Sequence, residues 1–412
     1  MSAGEAPALT FARIPRGLVA GFAILAIVGA VDFIATVWGK ESLRAWQAYL
    51  VNFLFWTGMA FGAVLFAAVL NITGARWGRA VKRLAESFVA YLPVSFILFW
   101  VLYPGRAEVF WWVSKPDSGK AAWLNVPFLF IRDGASLLFM TLIALALVFY
   151  SVKGDLHWSD REGSRAAAAE QEAGWAAAWR KQQILSPALI IALAFLLSLI
   201  GFDLVMSLDP RWYSTLFGGY FFIGCFYTGI IALYLLSMLV ADTESFKPYL
   251  RPRQLHDLGK LAMAFCIFTG YLFYAQFLTI WYGNLPEETQ YVILRVKASP
   301  WEPLAWVVLS MVFLGPFFFF LSRRVKAKRI PVVAISVVIL VGMWLERFIL
   351  VVPSLWKQNS IPVGATEVLV TAGFFGLMGL SITSFLQRVP LFPVSDPLFR
   401  EMQEAKKERL EP

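Results

Sequence analysis

Long apolar runs separated by short polar corners repeat down the whole 412-residue chain. Ten such runs fall at about residues 17–38, 49–71, 85–103, 128–150, 185–207, 215–240, 258–281, 302–321, 331–352 and 364–387. Crossing a bilayer as a helix takes about 20 apolar residues at a rise of 1.5 Å each, and every run reaches that length. The pattern predicts an all-α membrane protein of ten transmembrane helices, one integral membrane domain over 1–412. A polar arm precedes the first run, and a polar tail, 388–412, follows the last. The shortest corner joins the fifth and sixth runs, Asp209-Pro210-Arg211-Trp212-Tyr213-Ser214, with Asp203 inside the fifth run.

A weak internal echo organises the runs further. The third ends Phe96-Ile-Leu-Phe-Trp100 and the seventh ends Phe277-Leu-Thr-Ile-Trp281, four runs apart and therefore in one orientation. This predicts two four-helix bundles, spans 2–5 (about 49–207) and spans 6–9 (about 215–352), with peripheral helices at 17–38 and 364–387. The longest polar connection, 151–184, is predicted to carry an amphipathic surface helix. It is rich in Ala and Glu, and Trp175 and Trp179 stand four apart on one face.

Composition agrees. The chain is 59% hydrophobic and 15% charged, with a mean hydropathy of +0.66. Soluble domains are nearer half apolar and a quarter charged. Seventeen Trp and 13 Tyr suit interfacial belts. The net charge of +9 is no nucleic-acid signal, because the cations lie in loops of one side. Of 36 Lys and Arg, 24 fall in the arm, the tail and the loops after even-numbered spans, 9 in the other loops and 3 in spans. Positive charge stays inside, so both termini are expected in the cytoplasm of a bacterial inner membrane. After the first run comes Lys40-Glu41-Ser42-Leu43-Arg44, which is no cleavage site for a signal peptide.

There are two Cys (Cys225, Cys266) and two His (His157, His256). A haem between helices needs axial ligands at depth, and an iron–sulfur cluster needs about four thiolates. The expectation is a subunit with no covalent or metal redox cofactor, leaving a quinone, quinol or lipid as the candidate ligand.

An ionisable group within a span costs about 2.5–3.5 kcal/mol on insertion scales and marks a candidate site. Toward the outer face lie Asp32, Arg132, Asp133, Asp203, Glu346 and Arg347, with Asp209, Arg211, Tyr282, Glu287 and Glu288 just beyond. Toward the inner face lie Glu86, His256, Asp257 and Lys260. Between them stand neutral groups, among them Ser136, Thr228, Thr269, Tyr271, Tyr274 and Gln276. This depth sorting predicts two proton half-paths, an outer one of Asp133, Asp203, Glu346, Arg347, Arg132 and Asp209 and an inner one of Glu86, His256, Asp257 and Lys260. A buried carboxylate can exchange protons near neutral pH, and the same vestibule can take a quinone ring. The plainer readings are snorkelling of the inner groups to the headgroups, a solvated face for Glu287 and Glu288, and structural salt bridges. Helix neighbours point about 100° apart, so Arg347 is expected to pair with a carboxylate on another helix, Asp203 or Asp133.

Four stretches carry a family resemblance: Ser207-Leu-Asp-Pro-Arg-Trp-Tyr-Ser-Thr-Leu-Phe-Gly218, Asp257-Leu-Gly-Lys-Leu261, Phe277-Leu-Thr-Ile-Trp-Tyr-Gly-Asn-Leu-Pro-Glu-Glu-Thr289 and Trp344-Leu-Glu-Arg-Phe-Ile-Leu-Val-Val-Pro-Ser-Leu355. They resemble the NrfD-type polysulfide-reductase membrane subunits, in the branch found in bacterial alternative complex III. That complex has two such ten-span proteins, and the chain is more similar to the second, the one without the quinol pocket. The resemblance implies a quinol:electron-acceptor oxidoreductase complex. Its partners would be a sister NrfD-type membrane subunit, periplasmic iron–sulfur and cytochrome c subunits, and small membrane subunits. It also implies that the quinol pocket lies in the sister protein while this chain contributes to proton translocation. Two rivals stand beside that reading. One is a scaffold docking the periplasmic subunits through Asp209–Tyr213 and Asn284–Thr289. The other is a stand-alone transporter, disfavoured because Pro187, Pro210, Pro286 and Pro353 lie near helix ends rather than at mid-depth.

Overall fold

The computed structural model describes residues 10–115, 119–156, 165–209, 211–326 and 328–407. Those residues form helices and loops, with no strand among them. Among the described residues, ten helices are long and apolar enough to cross a membrane. They are Arg16–Val37, Ser42–Thr73, Arg79–Val101, Val126–Leu156, Gln171–Leu208, Leu216–Val240, Pro252–Gly283, Trp301–Leu321, Arg329–Leu355 and Ala365–Arg388, called spans 1 to 10 below. All ten predicted runs are present. Several helices outrun their apolar stretch by a turn or two, because a helix satisfies its own backbone polar groups on either side of the hydrocarbon boundary.

Span 2 is the axis of the molecule. The apolar window of span 2 is 94% buried, against 6% for span 1. It packs on spans 5, 6, 9 and 10 as well as on span 3. The contact with span 6 is parallel and close. A Cβ on Gly62 would stand 2.1 Å from the Cys225 carbonyl oxygen, and one on Gly229 2.3 Å from the Ala63 amide nitrogen. With lipid as apolar as leucine, small residues that let backbones touch are what hold two spans together. Span 2 ends at Gly74, whose φ of 60° places it in the left-handed region, and the amides of Gly74 and Ala75 turn back to Asn71 and Leu70.

Spans 1 and 10 pair antiparallel, Gly29 against Gly373 and Phe22 against Gly376 and Gly379. Arg44 at the start of span 2 forks onto Glu367 at the start of span 10, with both bonds at 2.6 Å. Elsewhere span 4 packs on spans 3 and 5, and span 7 packs on spans 6 and 8. Span 9 packs on spans 2, 6 and 8.

The connection after span 4 departs from expectation. Residues 157–164, including His157, lie outside the described residues. From Arg165 a single helix runs through Pro187 to Leu204, so the surface helix is the first part of span 5 and not a separate element. Its two tryptophans do share a face, and that face meets protein rather than headgroups. The Trp175 indole donates to the Gly154 carbonyl at 3.0 Å, and the Trp179 ring lies 5.4 Å from Arg79 and 5.5 Å from Lys82. Buried cations at the start of span 3 draw the Trp179 indole inward, and Trp175 lies under Arg400.

Candidate functional site

Among the described residues, three clusters of ionisable side chains are buried between the spans, one on the side of the chain termini and two toward the opposite side.

The first of the far-side clusters joins spans 4 and 5. Asp203 is completely buried and receives Arg132 Nε at 2.8 Å and the Trp123 indole at 2.9 Å, with Arg132 Nη2 at 2.7 Å. The Arg132 guanidinium lies over the rings of Trp123, 3.9 Å to the centroid, and Phe128, 4.4 Å. Asp133, also completely buried, sets its carboxyl against that of Asp203. No N–H or O–H of the described residues reaches either Asp133 oxygen. One guanidinium therefore faces two carboxyls, and two carboxyls in contact can bond to each other only through a shared proton.

The second joins spans 6 and 9. Tyr220 Oη donates to Glu346 Oε1 at 2.6 Å, and Arg347 Nη1 stands 3.1 Å from Glu346 Oε2. The guanidinium sits 4.3 Å from the Phe221 ring centroid and reaches the Phe221 carbonyl and the Cys225 thiol. Gly224 makes this possible, because a Cβ there would come within 2.9 Å of Arg347 Nη2. The expected cross-helix pairing of Arg347 with Asp203 or Asp133 is therefore overturned. Arg347 pairs with its chain neighbour, since its side chain is long enough to fold back along span 6, and Asp203 takes Arg132.

The third cluster lies on the terminal side and is larger. Arg79, Lys82, Arg83 and Glu86 line one face of span 3 and are at most 1% exposed. Arg83 pairs with Glu86 and with Asp155 of span 4. Arg79 and Lys82 both hold Asp396 of the C-terminal segment, at 2.9 and 2.8 Å. Lys82 also reaches Gln182 at 2.9 Å, and Asp155 accepts the Ser395 amide at 2.8 Å. Three cations thus meet three carboxylates. Burial works to raise Asp396, but Lys82 and Arg79 overcome it and hold the carboxyl below its ordinary value. Sequence reasoning found Glu86 alone here. The signal it passed over is the spacing 79, 82, 83, 86, one helical face immediately ahead of an apolar run.

The other expected groups stand apart. Asp257 and Lys260 pair with each other at 2.8 Å on an exposed face of span 7, and His256 faces Lys260, Lys326 and Arg323. The structure does not bring these three into the Glu86 cluster. Asp209 caps its own turn through the Arg211 amide at 3.1 Å, while Trp212 stacks on Tyr291 at 3.7 Å. Asp32 lies near Glu367 and Arg44. Ser136 and Thr228 donate to carbonyls of their own helices, and Tyr271 and Tyr274 face outward.

One functional-side residue went unforeseen. Arg295, on the short helix Pro286–Val296, is buried and donates to the carbonyls of Ile349 at 3.0 Å and Leu350 at 2.9 Å and to Ser354 Oγ at 2.7 Å. It forms no ion pair among the described residues. Pro353 has no N–H and leaves the carbonyl four residues back, Ile349, without its helical donor, and Arg295 supplies one.

The family model described as polysulphide reductase, NrfD, matches residues 36–357, more than three quarters of the chain. No curated protein matches the chain.

Proposed function

The chain belongs to the polysulphide reductase NrfD family, whose members are membrane subunits of quinone-related redox complexes, and from that premise we propose that it moves protons for such a complex. On this reading it is a redox-cofactor-free, ten-span component of an alternative complex III type of quinol:electron-acceptor oxidoreductase, most like the second of that complex's two NrfD-type proteins. It sits in a bacterial inner membrane with both termini in the cytoplasm and its spans grouped as two four-helix bundles. Its partners are a sister NrfD-type protein and the periplasmic iron–sulfur and cytochrome c subunits.

The observation that supports this is the Asp133–Asp203 pair with its single guanidinium. Such a pair takes up and gives back one proton while a carboxylate always remains opposite Arg132. Glu346, Arg347 and Asp209 flank it on the outer side. The Glu86 cluster lies toward the cytoplasm, with His256, Asp257 and Lys260 at a second inner position. The test is Asp203→Asn in the reconstituted complex, with protons counted per electron. The expected result is a lower ratio at near-normal assembly; an unchanged ratio overturns the reading.

The scaffold alternative has one observation in its favour. The outer corner stacks Trp212 on Tyr291, and the same short helix is bolted to span 9 by Arg295, which makes a rigid platform. Lost assembly on changes in Asp209–Tyr213 or Asn284–Thr289, with every acid-to-amide change silent in pumping, selects that alternative.

A further inference from the structure

Lys326, in the connection between spans 8 and 9, is a buried cation without a counter-charge. The residue is 5% exposed and pairs with no carboxylate among the described residues. Its stem runs inward against span 7, where a Cβ on Gly259 would stand 3.2 Å from both Lys326 Cγ and Cδ. The Tyr234 hydroxyl of span 6 donates to the Lys326 carbonyl and pins the backbone there. A lysine that merely snorkels keeps its head free in water. Here the ammonium is held at one place.

The charges that face it are cations. Lys260 of span 7 and Arg323 of the same connection join burial in pushing the Lys326 ammonium below its ordinary value. His256 faces the same three groups. Asp257, the acid beside His256, is already engaged by Lys260 at 2.8 Å. The connection itself, Ser322-Arg-Arg-Val-Lys-Ala-Lys-Arg329, has five cations and no acid. Of these, Arg329 pairs with Asp242 at 2.7 Å. Like charges drawn together around a desolvated ammonium are costly, and a bound anion reverses the sign of that cost.

Depth narrows the choice of anion. Lys260 stands two residues into the apolar run 258–281, and Arg323 stands two residues past the end of span 8 at Leu321. Both positions lie where hydrocarbon gives way to headgroups. Phe318 and Leu321, within two turns of Arg323, are exposed on span 8 and offer a surface for acyl chains. A phosphate oxygen is the natural acceptor for an arginine fork and for ammonium N–H groups, and basic pockets between spans suit anionic headgroups.

We infer that Lys326, Arg323 and Lys260 bind the phosphate of an anionic phospholipid on the side of the chain termini. Lys326 supplies the fixed ammonium, Arg323 the fork, and Lys260 the N–H groups that Asp257 leaves over. The acyl chains lie along Phe318 and Leu321. The site is on the opposite side from the Asp133–Asp203 pair and requires no proton movement there.

The test is thermal unfolding of the full chain in phosphatidylcholine nanodiscs doped with phosphatidylglycerol. Phosphatidylglycerol raises Tm of the wild type in proportion to the logarithm of its mole fraction. Lys326→Met keeps the buried stem and removes the charge. In pure phosphatidylcholine it is at least as stable as the wild type, because repulsion from Lys260 and Arg323 is relieved. It binds phosphatidylglycerol about tenfold more weakly, one charge-assisted hydrogen bond's worth. Arg324→Gln removes the same charge from the same connection, outside the trio, and stays within about twofold of the wild type. A photoreactive phosphatidylglycerol labels residues 256–260 and 318–326 of the wild type, which keeps the proposal testable if Lys326→Met folds poorly. No stabilisation by phosphatidylglycerol, equal losses in the two variants, or labelling elsewhere overturns it. Equal stabilisation by inorganic phosphate in pure phosphatidylcholine also overturns it, because the site would then take a free ion and not a lipid.

Discussion

Arg295 and Pro353 make a pair whose energetic coupling can be worked out in advance. Pro353 denies span 9 one helical hydrogen bond, and Arg295 Nε replaces it at the Ile349 carbonyl, 3.0 Å away. In Arg295→Leu that carbonyl is buried with no donor, a loss of about 1–3 kcal/mol. The single change alone is ambiguous, because leucine also relieves the cost of holding a buried guanidinium. The double-mutant cycle removes that ambiguity. In the wild type, Pro353→Ala adds an N–H opposite a carbonyl that already has one donor, and a second bond to the same oxygen gains less than a first. In the Arg295→Leu background the same N–H reaches the orphaned carbonyl four residues back. Pro353→Ala should then recover about 1–2 kcal/mol more than it does in the wild type, the worth of one restored bond. The assay is unfolding in mixed micelles titrated with dodecyl sulfate, followed by tryptophan fluorescence. Strictly additive effects of the two changes would refute the reasoning.

Two further outcomes follow from the packing and from the terminal-side cluster. Gly62→Val forces the spans 2 and 6 apart at their closest approach, where even a Cβ would sit 2.1 Å from a carbonyl oxygen; it should cost at least the 1–3 kcal/mol of core overpacking and lower the yield of folded protein on size exclusion. Asp396→Asn leaves Arg79 and Lys82 short of a buried counter-charge and should cost about 3–5 kcal/mol at neutral pH. Because the Asp396 carboxyl is held below its ordinary value, its contribution is fully present above the unfolded carboxyl value of about 3.9 and is lost as pH falls through the lower folded value. The stability gap between wild type and variant should therefore be flat above about pH 5 and shrink in strong acid. A gap that widens on acidification contradicts the assignment.

The spans were legible because lipid imposes one rule on every residue of a run, so hydropathy and length decide without knowledge of neighbours. The partners were not legible in the same way. Asp203 and Arg132 are 71 positions apart, and nothing in either neighbourhood says which helix will face which. Arg347 shows how a local rule misled. The 100° between adjacent side chains describes Cβ directions, whereas a guanidinium at the end of a four-bond stem goes where a glycine, here Gly224, leaves room. The terminal-side cluster was passed over for a different reason. Arg79, Lys82 and Arg83 fall among the loop cations whose distribution sets orientation, and Asp155 and Asp396 lie beyond the ends of the apolar runs. Asp396 is pinned beneath the spans by a segment with no apolar periodicity of its own, and only the tertiary fold reveals that. Arg295 was equally hidden, since its purpose depends on a proline 58 residues later.

Charge counting separates the three buried clusters by what each can do. In the terminal-side cluster three cations meet three carboxylates, and protonating any acid leaves a buried cation bare, at a cost of several kcal/mol. Glu346 and Arg347 are one against one, so the same objection holds there. Only the Asp133–Asp203 pair has more acids than bases. Taking one proton leaves it neutral with Arg132, and releasing that proton leaves one net negative charge beside a guanidinium that already touches Asp203. Its two states therefore differ by the least electrostatic penalty of the three clusters. A proton that crosses this chain stepwise would pause at that pair, while the matched clusters hold the helices in place around it. The proton count in Asp203→Asn thus bears on the one position where a change of charge is cheap, and a fall in the ratio without loss of assembly is what this arrangement requires.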